Sequence, residues 1–468
     1  MSARRIGFWL GLAGFLATVL FPAPGAMPAQ AWSVAGLVIL MAAWWMTEAI
    51  PLTATAILPF ILLPLLGVAD ANKTAAAYYS PIMFLFVGGA FLALAIERTG
   101  LHRRLALAIL RRASGSPRQL LFAVMMATAL ISTVISNTST AFIMMPMALA
   151  MLASGGVEEG RTTGMAGALP MGVAFAATIG GYGTMVGTPT NAIAAGLLEQ
   201  TLGMEIGFAE WSMYGMPVVL IGVPLAGWII ARIQKLDDDD FDPVAAREAI
   251  AHAPAWTVPE KRLAALFALT VLAWLLQPLL ETVLPKGSLT DGTIAAIAGL
   301  LLFMLPDGTG RPMLLWPEAN RAPWDVVLMF GGGLALAMGM SQSGLADWFG
   351  QMLLPLSGIP LVLLAIIIVG FVVVVTEFAS NIAAASAIMP VVGALVVALG
   401  ADPVLLALPA AFAASWGFML PSGTGPNAIA WGTRHVALPR VLKAGLLLDL
   451  SGILLIVGVI WGVAAIAG

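Results

Sequence analysis

The sequence predicts an all-α, polytopic membrane protein with about eleven transmembrane helices and two re-entrant hairpins, arranged as inverted repeats. Three observations carry this. The 468 residues are 60% hydrophobic and only 10% charged, whereas soluble domains carry about 25% charged residues. Apolar stretches of about 20 residues, each enough to cross a hydrocarbon core of about 30 Å, recur along almost the whole chain. A set of landmarks in the first half returns in the second at a constant offset of 244 residues.

Composition also excludes. There is no cysteine, so disulfides, thiolate metal sites and redox pairs are ruled out. The 50 Gly and 30 Pro suit a membrane bundle, where packed neighbours satisfy freed backbone groups. The net charge of −3 points to no partner, and no basic domain exists to bind nucleic acid.

The chain opens Ser2-Ala3-Arg4-Arg5 before an apolar run from Ile6 to Phe21. A signal peptide is the rival reading. A first membrane helix is preferred, because further spans follow at once and no clear cleavage site does. Candidate spans are 6–22, 32–50, 52–67 and 80–97. Glu97 to Arg112 carries Arg98, Arg103, Arg104, Arg111 and Arg112 and reads as an interfacial amphipathic helix. Next come an apolar stretch with a polar centre, 118–154, a broken span, 162–198, and an ordinary span, 213–233. The polar linker 232–262 includes Asp237-Asp238-Asp239-Asp240. That run reads as a solvated loop rather than a cation site, because clustered like charges repel and stay hydrated. The second half supplies 263–284, 292–306, 324–343, an interfacial piece near 345–357, a polar-centred stretch 359–398, a broken span 403–432 and a final span 438–467.

Phe86-Val87-Gly88-Gly89 resembles Phe330-Gly331-Gly332-Gly333, Ser136-Asn137-Thr138 resembles Ser380-Asn381-Ile382, and Pro146 matches Pro390, all 244 residues apart. Gly187-Thr188-Pro189-Thr190-Asn191-Ala192-Ile193 returns as Gly423-Thr424-Gly425-Pro426-Asn427-Ala428-Ile429, now 236 apart. The second unit therefore lost residues in between. Charge sets the relative orientation. The first polar-centred stretch is flanked by Arg111, Arg112, Arg118 and Arg161, whereas no Lys or Arg occurs between Arg321 and Arg434, around the second. Cytoplasmic flanks hold the Lys/Arg excess, so the two stretches face opposite sides. The expected organisation is N-terminal scaffold helices over 1–79, a first inverted repeat over 80–233, a cytoplasmic linker over 234–262, scaffold helices and a connecting loop over 263–323, and a second inverted repeat over 324–468. The N-terminus, the linker and the Arg434–Lys443 loop then lie in the cytoplasm and the C-terminus outside, in a multi-pass protein of the cell inner membrane.

Two polar clusters interrupt the most apolar sequence. Ser132, Ser136, Asn137, Thr138, Ser139 and Thr140 form the first; Thr376, Glu377, Ser380, Asn381 and Ser386 form the second. Irregular backbone at membrane depth survives only where it lines a cavity or is buried in protein. A broken helix offers carbonyl oxygens to a hard cation, and the following half-helix offers N–H groups to an anion. Packing glue between helices is the plain alternative for any one serine. The pairing of clusters and Gly-Thr loops at matching positions argues for midplane sites instead. Gly180-Gly181-Tyr182-Gly183-Thr184 lacks the strand and the Gly-Lys-Ser/Thr ending of a nucleotide cradle. Glu48 reads as a helix cap or anchor, and Glu377 as a side chain that holds its hairpin by hydrogen bonds, with cation compensation and proton relay as alternatives. His102, His252 and His435 fall at membrane edges or in loops and form no metal or triad constellation, so hydrolytic chemistry has no visible apparatus.

Together the two Ser-Asn-Thr-like tips, the Gly-Thr-Pro-x-Asn and Pro-Asn-Ala-Ile loops and the segment Trp44-Trp45-Met46-Thr47-Glu48-Ala49-Ile50-Pro51 resemble the divalent anion:sodium symporter (DASS) family, over nearly the whole chain. The resemblance implies eleven spans, two hairpins, a scaffold-mediated homodimer in membrane lipid, and elevator-type movement of a transport domain. It implies sodium-coupled symport of a small di- or tricarboxylate, a C4-dicarboxylate such as succinate first, with two or more Na⁺ sites. One Na⁺ site would use Ser132, Ser136, Asn137 and the carbonyl of Gly187; the other Thr376, Ala379, Asn381 and the carbonyl of Gly423. Substrate carboxylates would meet Asn137, Thr138 and Thr188 on one side and Ser380, Asn381 and Thr424 on the other. Two positions depart from the family pattern. Ile382 replaces a threonine, and Gly425 stands where proline is common. The first departure implies an asymmetric substrate or a smaller anion such as sulfate. A sodium-independent exchanger, a proton-coupled carrier and a substrate-sensing receptor are the alternatives. The receptor would normally carry an added signalling domain, and the linker is too short to be one. An intramembrane enzyme would need a nucleophile–base pair or a paired-Asp motif in facing helices, and the sequence shows neither.

Overall fold

In the computed structural model the described residues are 2–467 except 26, 112–114, 159, 237–239, 249–254 and 422. Asp237, Asp238 and Asp239 of the acidic run, Arg112 and His252 lie outside them. The chain begins with α1 (Ala3–Leu20) and α2 (Ala29–Thr47), which pack on each other. Glu48 closes α2 in a left-handed conformation, φ 48°, and pairs with Arg4 at 3.1 Å. The stretch 52–67 is not the single span expected. It forms two short helices, α3 (Leu52–Thr55) and α4 (Leu58–Leu65). The reason is Pro59 at the start of α4, which lacks an N–H and cannot continue a helix from the preceding turn. An unexpected helix, α5 (Ala71–Ala77), follows, with Asp70 accepting from the Lys73 amide at its N-cap.

The next helices are α6 (Pro81–Thr99), α7 (Leu101–Leu110), α8 (Pro117–Ser132), α9 (Asn137–Ser154) and α10 (Met165–Gly180). Ser80 with Pro81, and Ser116 with Pro117, start α6 and α8, the pairing of a side-chain acceptor with a residue whose missing N–H costs nothing at that position. A 3₁₀ turn, Gly181–Gly183, precedes α11 (Pro189–Leu202) and the long α12 (Phe208–Gln234). The linker holds α13 (Pro243–Glu248) and ends at α14 (Val258–Leu280), which Thr257 and Glu260 start with a capping box. Then come α15 (Asp291–Met304), α16 (Trp316–Ala319), α17 (Trp324–Gln342), α18 (Leu345–Leu353), α19 (Leu361–Phe378), α20 (Asn381–Leu399), α21 (Pro403–Ala413), α22 (Gly425–Gly432) and α23 (Leu438–Ala467). Among the described residues there is no strand, only an isolated bridge between Pro306 and Pro312.

Eleven helices among the described residues are long and apolar enough to cross a membrane. The number is the expected one, but its members differ. Hairpin arms α9, α19 and α20 belong to the set, whereas the stretches 52–67, 292–306 and 403–432 supply only shorter helices. The innermost element is α10, buried at every residue, with α8, α9, α12 and α22 packed around it. One apolar core runs from α6 to α23, and a smaller one joins α2 and α4 to α17, α18 and α20. Both cores press on α20, the arm that carries the second polar cluster.

Candidate functional site

Each polar cluster occupies a gap between two helices. The first gap, 133–136, separates α8 from α9; the second, 379–380, separates α19 from α20. Ser136 caps α9 by accepting from the Ser139 amide at 3.3 Å, and Ser380 caps α20 by accepting from the Ala383 amide at 3.2 Å. Asn137 and Asn381 are therefore the first residues of their helices.

Both gaps build the same oxygen constellation. The Ser132 hydroxyl lies 3.0 Å from Asn137 Oδ1 and 2.6 Å from the Ala177 carbonyl oxygen. The Thr376 hydroxyl lies 2.9 Å from Asn381 Oδ1 and 2.7 Å from the Ala414 carbonyl oxygen. A hydroxyl has one proton and cannot satisfy two acceptors at once. Three oxygens converge on one donatable hydrogen in each place, with Ser132 and Thr376 almost wholly buried. Such a set is short of positive charge and suits a hard monovalent cation. Gly187 belongs to the first group: a Cβ there would lie 3.0 Å from the Ser132 carbonyl oxygen. Gly423 lies beside the second, where a Cβ would lie 3.7 Å from the Glu377 carbonyl oxygen. Ala379 is the buried C-cap of α19, between Thr376 and Asn381. Asn137 packs so tightly on the 3₁₀ turn that a Cβ at Gly181 would be 2.4 Å from its Oδ1, so only glycine fits.

The two broken spans complete the site. After α10 the backbone unwinds, and Asn191 pins it by donating to the carbonyls of Gly181 at 2.7 Å and Thr184 at 2.9 Å. After α21 it unwinds over 414–421, where Asn427 donates to the Leu420 carbonyl at 3.3 Å. Glu377, buried in the last turn of α19, accepts from the amides of Met419 at 2.9 Å and Leu420 at 3.0 Å. It fastens the hairpin to the unwound segment by hydrogen bonds, as preferred from sequence. Thr188 and Thr424 are the N-caps of α11 and α22. The Thr424 side chain is engaged with the Asn427 amide at 3.3 Å, while Thr188 makes no capping bond.

All six expected anion-binding residues, Asn137, Thr138, Thr188, Ser380, Asn381 and Thr424, line one cavity of about 440 Å³, together with Ser136, Ile382, Gly423 and Gly425. The N-termini of α9, α11, α20 and α22 meet there, each presenting unsatisfied N–H groups and the positive end of its dipole. The volume is in the range of small-molecule sites. A larger cavity, about 660 Å³, lies between α17, α18 and α20 and holds none of these residues.

Sequence reasoning missed five participants. The carbonyls of Ala177 and Ala414 carry no side-chain signal; only the helix break that frees them is legible. Asn191 and Asn427 were visible as a motif but not as locks for the irregular backbone. At the cavity wall stands Arg321, donating to Glu97 at 2.7 Å. The motif segments themselves hold no Lys or Arg, but the cavity rim does.

A chamber between two broken helices of a multi-span chain, with convergent dipoles and oxygen clusters, defines a polytopic membrane transporter. Comparisons with known proteins give the family. A family model described as the sodium:sulfate symporter transmembrane region matches residues 3–466, and the chain belongs to that family. It is 36% identical over 478 residues to the sodium-dependent dicarboxylate transporter SdcS of Staphylococcus aureus (strain USA300), covering 99% of this chain and 92% of that one. SdcS of strain N315 is similar to the same degree. Among solved structures, the YdaH transporter of Alcanivorax borkumensis has the same fold, with a TM-score of 0.56 at 15% identity over 100% of this chain and 99% of that one. The DASS resemblance read from the motifs is thereby shown at the level of family, and the protein is a transporter rather than an enzyme.

Proposed function

We propose that this protein is a sodium-coupled symporter of a small dicarboxylate, with succinate the first candidate, working by elevator-type alternating access. The observation that carries the reading is the duplicated oxygen constellation, Ser132–Asn137–Ala177 and Thr376–Asn381–Ala414, flanking one cavity. Na⁺ is held in the first by Ser132, Ser136, Asn137 and the Gly187 carbonyl, and in the second by Thr376, Ala379, Asn381 and the Gly423 carbonyl. The dianion lies between them, one carboxylate on Asn137, Thr138 and Thr188 and the other on Ser380, Asn381 and Thr424. The cavity's one basic residue, Arg321, is paired with Glu97. The substrate charge is balanced by bound Na⁺ and helix dipoles, which act strongly where water is excluded. An anion without sodium is therefore poorly held, and this is the physical basis of coupling.

Residues 80–233 and 324–468 act as the inverted repeats, and the remaining helices as the scaffold of a homodimer in the inner membrane, with the N-terminus in the cytoplasm. The sodium dependence and dicarboxylate specificity named for SdcS support the reading. One observation favours a second substrate: Ile382, in the position matching Thr138, lines the cavity without a hydroxyl, which suits a smaller anion such as sulfate. Counterflow in proteoliposomes with labelled succinate, sulfate and citrate at varied Na⁺ separates these. Succinate uptake that vanishes without Na⁺ is expected. Undiminished uptake in sodium-free buffer would overturn the symport reading.

A further inference from the structure

We propose a third cation site, bounded by Asp449, Glu377, Ser415 and Tyr182, and separate from the two Asn-centred constellations. Asp449 is in the middle of α23, the final span, and is 4% exposed. Neither of its carboxylate oxygens has a close hydrogen-bond partner, and the backbone donor that faces them is the Phe418 amide. The charged group that faces it is the carboxylate of Glu377. Tyr182, wholly buried in the 3₁₀ turn, faces both Asp449 and Ser415. The hydroxyls of Tyr182 and Ser415 face each other, and Ser415 is 1% exposed.

Two carboxylates facing each other inside a membrane protein are costly without a counter-charge. No Lys or Arg occurs between Arg321 and Arg434, and on α23 itself Arg440 is turned toward Gln234 while Lys443 is exposed. No basic side chain faces Asp449, while oxygens are plentiful: two from Asp449, one each from Tyr182 and Ser415, and the carboxylate of Glu377. An all-oxygen set of this kind selects a hard cation. The two oxygens of Glu377 already accept backbone amides, which offsets part of its charge and favours a monovalent ion. The site assignment to Na⁺ rests on the sodium-coupled reading above.

Position gives the site a purpose. Glu377 and Ser415 directly follow Thr376 and Ala414, two members of the second constellation. Tyr182 adjoins Gly181, on which Asn137 packs. An ion here ties the last helix, the second hairpin and both unwound segments together, and it orders the second constellation from behind. The site exists once. The residue 244 positions before Glu377 is Thr133, whose hydroxyl donates to the Leu130 carbonyl at 2.7 Å. Two duplicated sites plus one unduplicated site give three cations per cycle.

The test is the Na⁺:succinate stoichiometry from reversal potentials in proteoliposomes, with the half-saturating Na⁺ measured alongside, for the unaltered protein and Asp449→Asn. We expect the ratio to fall by one in the variant and half-saturating Na⁺ to rise on the order of tenfold. Ser415→Ala, which removes one neutral oxygen with little change in volume, should raise half-saturating Na⁺ in the same direction, and it decides the matter if Asp449→Asn does not fold. Sodium-dependent uptake with both quantities unchanged in the variants overturns this site alone. An unchanged ratio with lost pH dependence in Asp449→Asn shows a proton there and overturns the Na⁺ assignment. Sodium-independent uptake by the unaltered protein overturns the symport reading and this site with it.

Discussion

Thr138 at the tip of the first hairpin and Gly425 at the start of α22 are in contact so close that no side chain fits at 425. A Cβ there would lie 2.3 Å from Thr138 Oγ1 and 3.1 Å from its Cγ2. The two residues come from opposite halves of the chain, and both line the cavity. In this chain glycine leaves room for the threonine hydroxyl.

Gly425→Ala should accordingly displace Thr138 and weaken substrate binding. Overpacking of this kind costs about 1–3 kcal/mol. The KM for succinate should therefore rise by roughly 5- to 150-fold, with little change in half-saturating Na⁺. Thr138→Ala removes the obstructing atoms, so the double variant should be less impaired than the sum of the singles predicts. A double-mutant cycle on KM checks this. Additive losses would mean that the two residues act independently.

The duplicated oxygen groups predict matched effects. Ser132→Ala and Thr376→Ala each delete one buried oxygen and leave an Asn amide and a carbonyl without their hydroxyl partner. Loss of a buried partner costs about 1–3 kcal/mol. Half-saturating Na⁺ should rise by severalfold or more in each, and the two losses should add, because the sites share no partner. Titrating Na⁺ activation of uptake in the unaltered protein, the two single variants and the double variant checks this. An effect on maximal rate with unchanged Na⁺ dependence would assign the hydroxyls to packing.

Much of this was legible in the sequence, for physical reasons. The polar interruptions at Ser132–Thr140 and Thr376–Ser386 stand out because hydrocarbon-facing helices rarely tolerate them. The register of Asn137 with Asn381 and of Pro146 with Pro390 marks equivalent places in two units. The helix starts were readable from Ser80-Pro81, Ser116-Pro117 and Asp402-Pro403, each a cap followed by a residue that tolerates the first turn. Hydropathy failed at 52–67, where the run is apolar throughout but Pro59 divides it. It also could not show that α9, α19 and α20 are as long and apolar as full spans. Backbone carbonyls such as Ala177 and Ala414, and pairs joined across 224 residues such as Arg321 and Glu97, leave no local pattern to read.

Outside the membrane-spanning helices, the loop after α15 predicts an acid-sensitive anchor. Asp307 is buried, which alone would raise its carboxyl, but hydrogen bonds from Thr309 and the guanidinium of Arg98 hold it down at about 2. Arg311 and Glu318 continue the network. A carboxyl depressed in the folded state stabilises fully above the ordinary carboxylate pKa of about 3.9, and that contribution is lost as pH falls toward 2. Asp307→Asn should therefore lower the unfolding midpoint of the detergent-purified protein at pH 7, and the gap to the unaltered protein should narrow below about pH 4. A gap that stays constant with pH would remove the ionised carboxylate from the explanation.

Ile382 and Thr138 occupy equivalent positions 244 residues apart, and both line the cavity. One offers a hydroxyl; the other is half-buried and packs on both apolar cores. The second carboxylate of a symmetric dianion would meet one donor fewer than the first. An unpaired oxygen beside an otherwise satisfied anion costs about 1–3 kcal/mol. Ile382→Thr restores the hydroxyl but removes part of an aliphatic contact, so stability should fall slightly while succinate affinity rises. Competition of unlabelled succinate and sulfate against labelled succinate uptake reads the preference directly. The variant should shift it toward succinate by about 5- to 150-fold if the hydroxyl reaches the carboxylate. Equal succinate transport by the native protein and the variant would show that the asymmetry of the two tips does not set substrate choice.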